Sequence, residues 1–171
     1  MAETIETTVT YLEMTEPRHR LVPPPANFKV MLVKLEKPTV HFYRYLYDTI
    51  GEGYYWVDRK RLTPDALAEV IHDPRNQLFV LYLEGNPAGM AELDLRKPGT
   101  CNISYFGLMP EAVGKRLGYF FLYHTCVNAW LQPIERLTVN TCTLDHPRAL
   151  PLYQRIGFTA YSREERFVEL P

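Results

Sequence analysis

The stretch Gly107-Leu108-Met109-Pro110-Glu111-Ala112-Val113-Gly114-Lys115-Arg116-Leu117-Gly118 carries the most chemistry in this chain. Apolar residues lead into it, two glycines punctuate its second half, and an apolar helical pattern follows. A loop of that kind turns backbone N–H groups outward at the start of a helix, where the helix dipole adds positive potential. Such a cup binds a phosphate or pyrophosphate. Lys115 and Arg116 place formal charge beside it. Neither a Walker A sequence nor Gly-x-Gly-x-x-Gly is present, so the two common nucleotide loops lose their motif. Taken alone, the string reads equally well as a basic helix start.

The remaining reactive side chains are scattered. Cys101, Cys126 and Cys142 include no Cys-x-x-Cys pair, so no metal knuckle is expected, and their odd number suits reduced thiols. His124 falls on an apolar helical stripe and reads as a hydrogen-bonded core histidine. His146 precedes Pro147, where it caps a helix or faces a ligand.

Periodicity supplies the elements that must position these residues. Thr8–Met14 and Phe28–Leu35 read as strands, joined through the stiff Pro23-Pro24-Pro25 connector. Thr39–Ile50 reads as a helix with Phe42, Tyr43, Leu46 and Ile50 on one face and Gly51 as its stop. Thr63-Pro64-Asp65 starts a second helix that ends near His72-Asp73-Pro74. Leu78–Leu83, Met90–Leu95 and Cys101–Leu108 form a meander of strands. A helix follows Gly114, with Leu117, Phe120, Phe121, Val127 and Leu131 at helical spacing. Arg136–Cys142 is a strand, a short helix stops at Gly157, and Phe158–Val168 is the last strand. Pro151 fits that short helix only if it begins near Ala149. No linker divides the 171 residues, so one α/β domain with a mixed sheet is expected: residues 1–27 as an N-terminal strand and connector, 39–74 helical, and 77–158 the core.

Composition removes several classes of partner. A net charge of −1 leaves no global basic field for nucleic acid or an anionic membrane. No apolar run approaches the ~18 residues that span a bilayer. The polar, acidic start Met1–Glu6 lacks the apolar stretch of a secretory signal, and a cytoplasmic location is expected. The 12 tyrosines suit surfaces that must be apolar yet hydrogen-bonding, besides filling a core.

In context, the glycine-bearing loop resembles the acetyl-CoA motif of GNAT acyltransferases: a strand, a His/Met-Pro-Glu/Asp turn, then R/Q-x-x-G-x-G/A opening a helix. Pro110 and Glu111 match the turn, and Val113, Gly114, Arg116 and Gly118 fall on the motif positions. Thr141–Phe158 is similar to that family's N-x-x-A-x-x-x-Y-x-x-x-G-F segment through Ala149, Tyr153, Gly157 and Phe158. The likeness covers Leu78–Phe158, and its strings look like those of a bacterial branch. Val113 stands where Arg or Gln is usual, Arg116 where Gly is usual, and His146 where Asn is usual. If that glycine needs φ > 0, Arg116 is strained; otherwise the turn is right-handed and the guanidinium reaches a phosphate.

The resemblance implies a twisted, mostly antiparallel sheet of about seven strands, flanked by about four helices, with one splayed parallel strand pair. It implies acetyl-CoA as cofactor and an amine of a small molecule or peptide as acceptor, joined by direct attack in a ternary complex. It leaves a homodimer open. The cofactor would lie along Phe106, Gly107, Leu108, Val113, Gly114, Lys115, Arg116, Leu117 and Gly118, with Thr141 and His146 nearby. Tyr153 lies where the family keeps its general acid, and a phenol of pKa near ~10 can protonate a thiolate. Glu92 is the candidate base, on a strand face shared with Asp94; a merely solvated face is the alternative. Tyr43, Tyr47, Tyr54, Tyr55 and Trp56 could wall the acceptor cleft or simply pack the helices. Two other readings are an acyl-CoA-sensing module on the same fold and an unrelated nucleotide-binding α/β protein.

Overall fold

The computed structural model describes residues 2–18 and 20–170; Met1, His19 and Pro171, within the expected domain bounds, lie outside the described residues. The elements run β1 (Thr4–Met14), β2 (Val30–Leu35), α1 (Val40–Gly51), α2 (Pro64–Ile71), β3 (Asn76–Leu83), β4 (Asn86–Asp94), β5 (Thr100–Leu108), α3 (Leu117–Trp130), β6 (Arg136–Cys142), α4 (Ala149–Ile156) and β7 (Thr159–Glu169). Short 3₁₀ turns stand at Glu52–Tyr54, Arg59–Arg61 and Pro110–Ala112.

Both early helices start where the sequence offers a cap. The Thr39 hydroxyl accepts from the Phe42 N–H and the Thr63 hydroxyl from the Ala66 N–H. Pro151 is the third residue of α4, where its missing N–H has no intrahelical carbonyl to serve. Gly157, at φ 127°, ends that helix in a conformation closed to most side chains.

The strands form one seven-stranded sheet in the order β2-β3-β4-β5-β6-β1-β7. All neighbours are antiparallel except β5 and β6. β1 therefore reaches across the sequence to sit between β6 and β7, an internal place that the N-terminal position of the strand does not reveal. Leu78 through Leu81 of β3 are buried on both faces, as their unbroken apolar run requires. α3 buries seven residues, among them Leu117, Phe121 and Leu122. Each large apolar side chain so buried stabilises the fold by roughly 2 kcal/mol.

One irregularity shapes the middle of the sheet. Glu92 stands opposite Tyr105 and Leu93 opposite Ile103, so Ser104 is an extra residue on β5 and bends it. The parallel β5–β6 ladder runs from Thr100↔Arg136 to Ile103↔Val139 and stops there. Beyond it β5 follows β4 to Leu108, and β6 follows β1 to Cys142. The two strands thus open a wedge between them at their C-terminal ends.

Candidate active site

A cleft of about 1350 Å³ occupies the wedge and extends to the loops at its mouth. On one side it meets the Val113–Gly118 turn. Gly114 (φ 84°) and Arg116 (φ 61°) both take left-handed backbone conformations, with Lys115 between them. That alternation directs successive amides toward one concavity. Among the described residues, no backbone hydrogen bond uses the N–H of Gly114, Lys115 or Arg116. Those of Leu117 and Gly118 open α3, where no intrahelical carbonyl is available. Arg116 is therefore the left-handed residue of the two alternatives, at a cost of about 1–2 kcal/mol for a non-glycine residue. Nothing bulky crowds the turn: a Cβ on Gly114 would meet nothing within 4 Å, and one on Gly118 would approach no closer than 3.6 Å.

The deep end holds Tyr153. Its ring packs edge-on against Phe106 (centroids 6.3 Å apart) and Phe158 (6.0 Å), and the residue lines the cleft. Burial, then the Asp145 carboxylate and Cys126, raise its pKa well above the usual phenol value. Its surroundings thus favour the protonated phenol. Phe106 in turn stacks on Phe121 of α3 (5.0 Å), which fixes the face that β5 turns to Tyr153.

The opposite wall is built by side chains interlocked between α1, the 3₁₀ turn at Arg59 and the two strands β4 and β5. Tyr47, Trp56 and Tyr105 touch pairwise, with centroids 4.9 to 5.4 Å apart. The Tyr47 hydroxyl accepts from the Arg59 N–H (3.2 Å) and donates to the Tyr105 hydroxyl (3.3 Å). Behind this layer Glu92 is wholly buried. Its Oε1 accepts from the Tyr43 hydroxyl (2.7 Å) and its Oε2 from Arg59 Nη2 (2.9 Å). Arg59 Nε also donates to the Tyr43 hydroxyl (3.3 Å), which closes the triangle. Burial opposes the charge on Arg59, but Glu92 and Tyr43 outweigh it and raise the arginine's pKa. Burial and the Glu92 charge likewise raise that of Tyr43.

Several residues singled out in the sequence come together here. Phe106, Gly107, Leu108, Val113, Gly114, Arg116, Leu117, Gly118, His146 and Tyr153 line the cleft, as do Tyr47, Tyr55 and Trp56. Others do not. Glu92 lies on no solvated face and does not line the cleft; Tyr43 and Arg59 each engage one of its oxygens. Tyr43 is fully buried behind the wall, not part of it. Lys115 turns its ammonium over the Phe28 ring, 5.6 Å from the centroid. Thr141 donates to Asp145 Oδ2 (2.6 Å), which also accepts from the Cys142 N–H, so this hydroxyl shapes its own loop. His146 accepts at Nδ1 from the Arg148 N–H (3.1 Å) and sets its ring edge-on to Tyr54. The His124 ring packs edge-on against Phe120 and Tyr123, and burial lowers its pKa.

Sequence reading missed Arg59, Tyr105, Arg148 and Arg155, all of which line the cleft. Arg59 sits in Asp58-Arg59-Lys60-Arg61, a string indistinguishable from a solvated charge run. The alternation Tyr105/Phe106 in β5 was the one available signal, since it sends one ring to each face of the sheet. Among the described residues no group of acidic, histidine or cysteine side chains could hold a metal ion, and no helix is long and apolar enough to cross a membrane.

The profile of the acetyltransferase (GNAT) family matches residues 36–158. Among curated proteins none matches the sequence. Solved structures share the fold at low identity. A GCN5-related N-acetyltransferase from Kribbella flavida superposes with a TM-score of 0.63 at 17% identity, over 96% of this chain and 58% of that one. The ribosomal-protein-S18-alanine N-acetyltransferase of Escherichia coli gives 0.63 at 13%, over 83% and 94%. An aminoglycoside acetyltransferase from a soil metagenome gives 0.64 at 14%, over 78% and 90%. Three of the matched chains are substantially longer, so that this chain spans 62%, 58% and 52% of their lengths.

Proposed function

The chain belongs to the GNAT acetyltransferase family, and on that premise we propose that it transfers an acetyl group from acetyl-CoA to an amine of a small molecule or peptide. The observation that carries this reading is the wedge: a parallel ladder that stops at Ile103↔Val139, with free amides at one end and a protonated tyrosine at the other. The residues present fit the cofactor. The Gly114–Gly118 amides and the α3 N-terminus would hold its pyrophosphate, and the unpaired edge of β5 beyond Ile103 would take the amides of its arm. When bound, acetyl-CoA supplies a thioester whose carbonyl carbon an amine can attack.

The chain's own groups do the rest. A backbone N–H on the open edge of β5 would be available to the oxygen where negative charge develops. The Tyr153 hydroxyl holds the proton that the departing sulfur requires, and its raised pKa keeps that proton in place until then. Glu92 acts as a positioning residue: it fixes Arg59 and Tyr43, and through them the Tyr47–Trp56–Tyr105 wall on which the acceptor rests. Buried behind the wall and outside the cleft lining, it does not contact the acceptor itself. The acceptor would bind as the neutral amine and attack directly while both substrates are in place; as the C–N bond forms and the C–S bond breaks, the sulfur would take the Tyr153 proton, and the proton shed by the amine would pass to water in the open cleft, from which Tyr153 is reprotonated.

Turnover is measured as thiol release from acetyl-CoA against a panel of amines, beside CoA-induced thermal shift. The expected pH profile rises with the acceptor's own deprotonation and shows no descending limb near the usual phenol pKa of ~10. CoA binding without turnover on any amine would assign the chain to acyl-CoA sensing. A shift with ATP or NAD but none with CoA contradicts both readings.

A further inference from the structure

Beside the cleft lies a second hollow of about 540 Å³, at the C-terminal end of α1, with Glu3, Glu52, Lys60 and Leu170 in its lining. Among the described residues, three consecutive ones line both spaces: Tyr55, Trp56 and Val57. Val57 is buried, and Tyr55 is 42% exposed. The indole of Trp56 therefore forms the bulk of the partition between cleft and hollow.

The chain makes room for that indole at both of its ends. A Cβ on Gly51 would stand 2.6 Å from Trp56 Cγ, and one on Gly107 would stand 3.2 Å from Trp56 Cη2. Gly51 lies at φ −85°, and Gly107 is not among the glycines with positive φ. Neither position thus calls on the backbone freedom of glycine; what each provides is space. The indole runs from the last residue of α1 to the C-terminal part of β5. The residue before it, Tyr55, holds a left-handed conformation at φ 58°, which is unfavourable for a side chain. The Trp56 N–H then donates to the Gly51 carbonyl (3.2 Å) and closes the turn. Tyr47 and Tyr105 pack on the indole with centroids 5.4 and 5.0 Å away. Two glycines, a left-handed turn and two tyrosines hold this one side chain in place.

A side chain held in that way decides how far a ligand can extend. With the indole present, the cleft ends at a flat apolar wall. Without it, cleft and hollow run together. We propose, resting on the acetyl-transfer reading, that Trp56 is the residue that determines acceptor size. It admits primary amines whose apolar body stops at the indole face and excludes those with a longer apolar arm.

Isothermal titration of the wild type, Trp56→Phe and Trp56→Ala with benzylamine and with 4-phenylbutylamine tests this, on the chain saturated with CoA and on the chain alone. In the wild type, benzylamine binds about tenfold more tightly than 4-phenylbutylamine. In Trp56→Ala the order reverses, and Trp56→Phe falls between. In Trp56→Ala, 4-phenylbutylamine also moves the amide resonances of Glu3 and Leu170, which stay unmoved in the wild type. That shift locates the arm in the hollow, which a merely structural role for Trp56 would not do. Circular dichroism checks each fold; Trp56→Leu, smaller and still apolar, replaces an alanine variant that does not fold. An affinity ratio unchanged by the substitutions, a wild type that binds neither amine or prefers the longer one, or a reversal that leaves Glu3 and Leu170 unmoved would each overturn the proposal. A reversal seen on a chain that does not bind CoA would support the partition and contradict acetyl transfer instead.

Discussion

The two sides of the cleft are made of different material. The side proposed for the cofactor is backbone: amides turned inward by left-handed residues at Gly114 and Arg116, and the open edge of a strand. The side proposed for the acceptor is side chain: Glu92, Arg59, Tyr43, Tyr47, Tyr105 and Trp56, each held by at least one of the others. A cup of amides keeps its chemistry when side chains change, provided the turn survives. An interlocked wall has no such tolerance, because removing one member leaves a buried polar partner exposed to loss.

That contrast can be broken from the wall side first. Glu92→Ala removes the acceptor of both Arg59 and Tyr43 and leaves a half-buried guanidinium uncompensated. A loss of about 3 kcal/mol in stability is expected from denaturant unfolding. Near-wild-type stability would show that the triangle does not hold the wall. Tyr153→Phe comes next: kcat falls about 100-fold while CoA affinity and stability stay close to wild type. Equal activity would remove Tyr153 from the proton-donor role. Gly107→Ala drives a Cβ to 2.5 Å from Ile50 Cγ2 and 3.2 Å from Trp56 Cη2. It should cost about 1–3 kcal/mol by overpacking, with acceptor KM more affected than CoA affinity.

The smallest effect is expected on the cup. Arg116→Gly relieves a left-handed non-glycine residue, so thermal unfolding should show a gain of up to about 1 kcal/mol. CoA affinity should change little, because the amides and not the guanidinium form the cup. A tenfold loss of affinity would instead assign the Arg116 side chain to a phosphate.

The two sides also differed in how far the sequence revealed them. The cup was legible because Gly114, Gly118, Pro110 and the helical pattern after Leu117 are consecutive and act through local backbone geometry. That Tyr153 points into the cleft was anticipated through the family resemblance of the Ala149–Gly157 segment. The wall was not, because its contacts join residues 49, 33 and 58 positions apart. Glu92 illustrates the gap. Strand alternation gave the face it points to, but only the packing of α1 and the Arg59 turn over that face makes it buried and paired. Lys115 shows the converse: proximity in sequence placed its charge at the cup, yet its stem turns over Phe28. The internal place of β1 was equally hidden, since pairing with β6 and β7 spans most of the chain.

The most direct test follows backbone amide resonances of the isotopically labelled chain during titration with CoA. The amides of Gly114, Lys115, Arg116, Leu117 and Gly118 should shift together and saturate with one dissociation constant, while those of Asp58 and Arg59 move little. Saturable CoA binding that leaves the five amides unmoved, or no binding at all, would contradict the assignment of this turn as the diphosphate site.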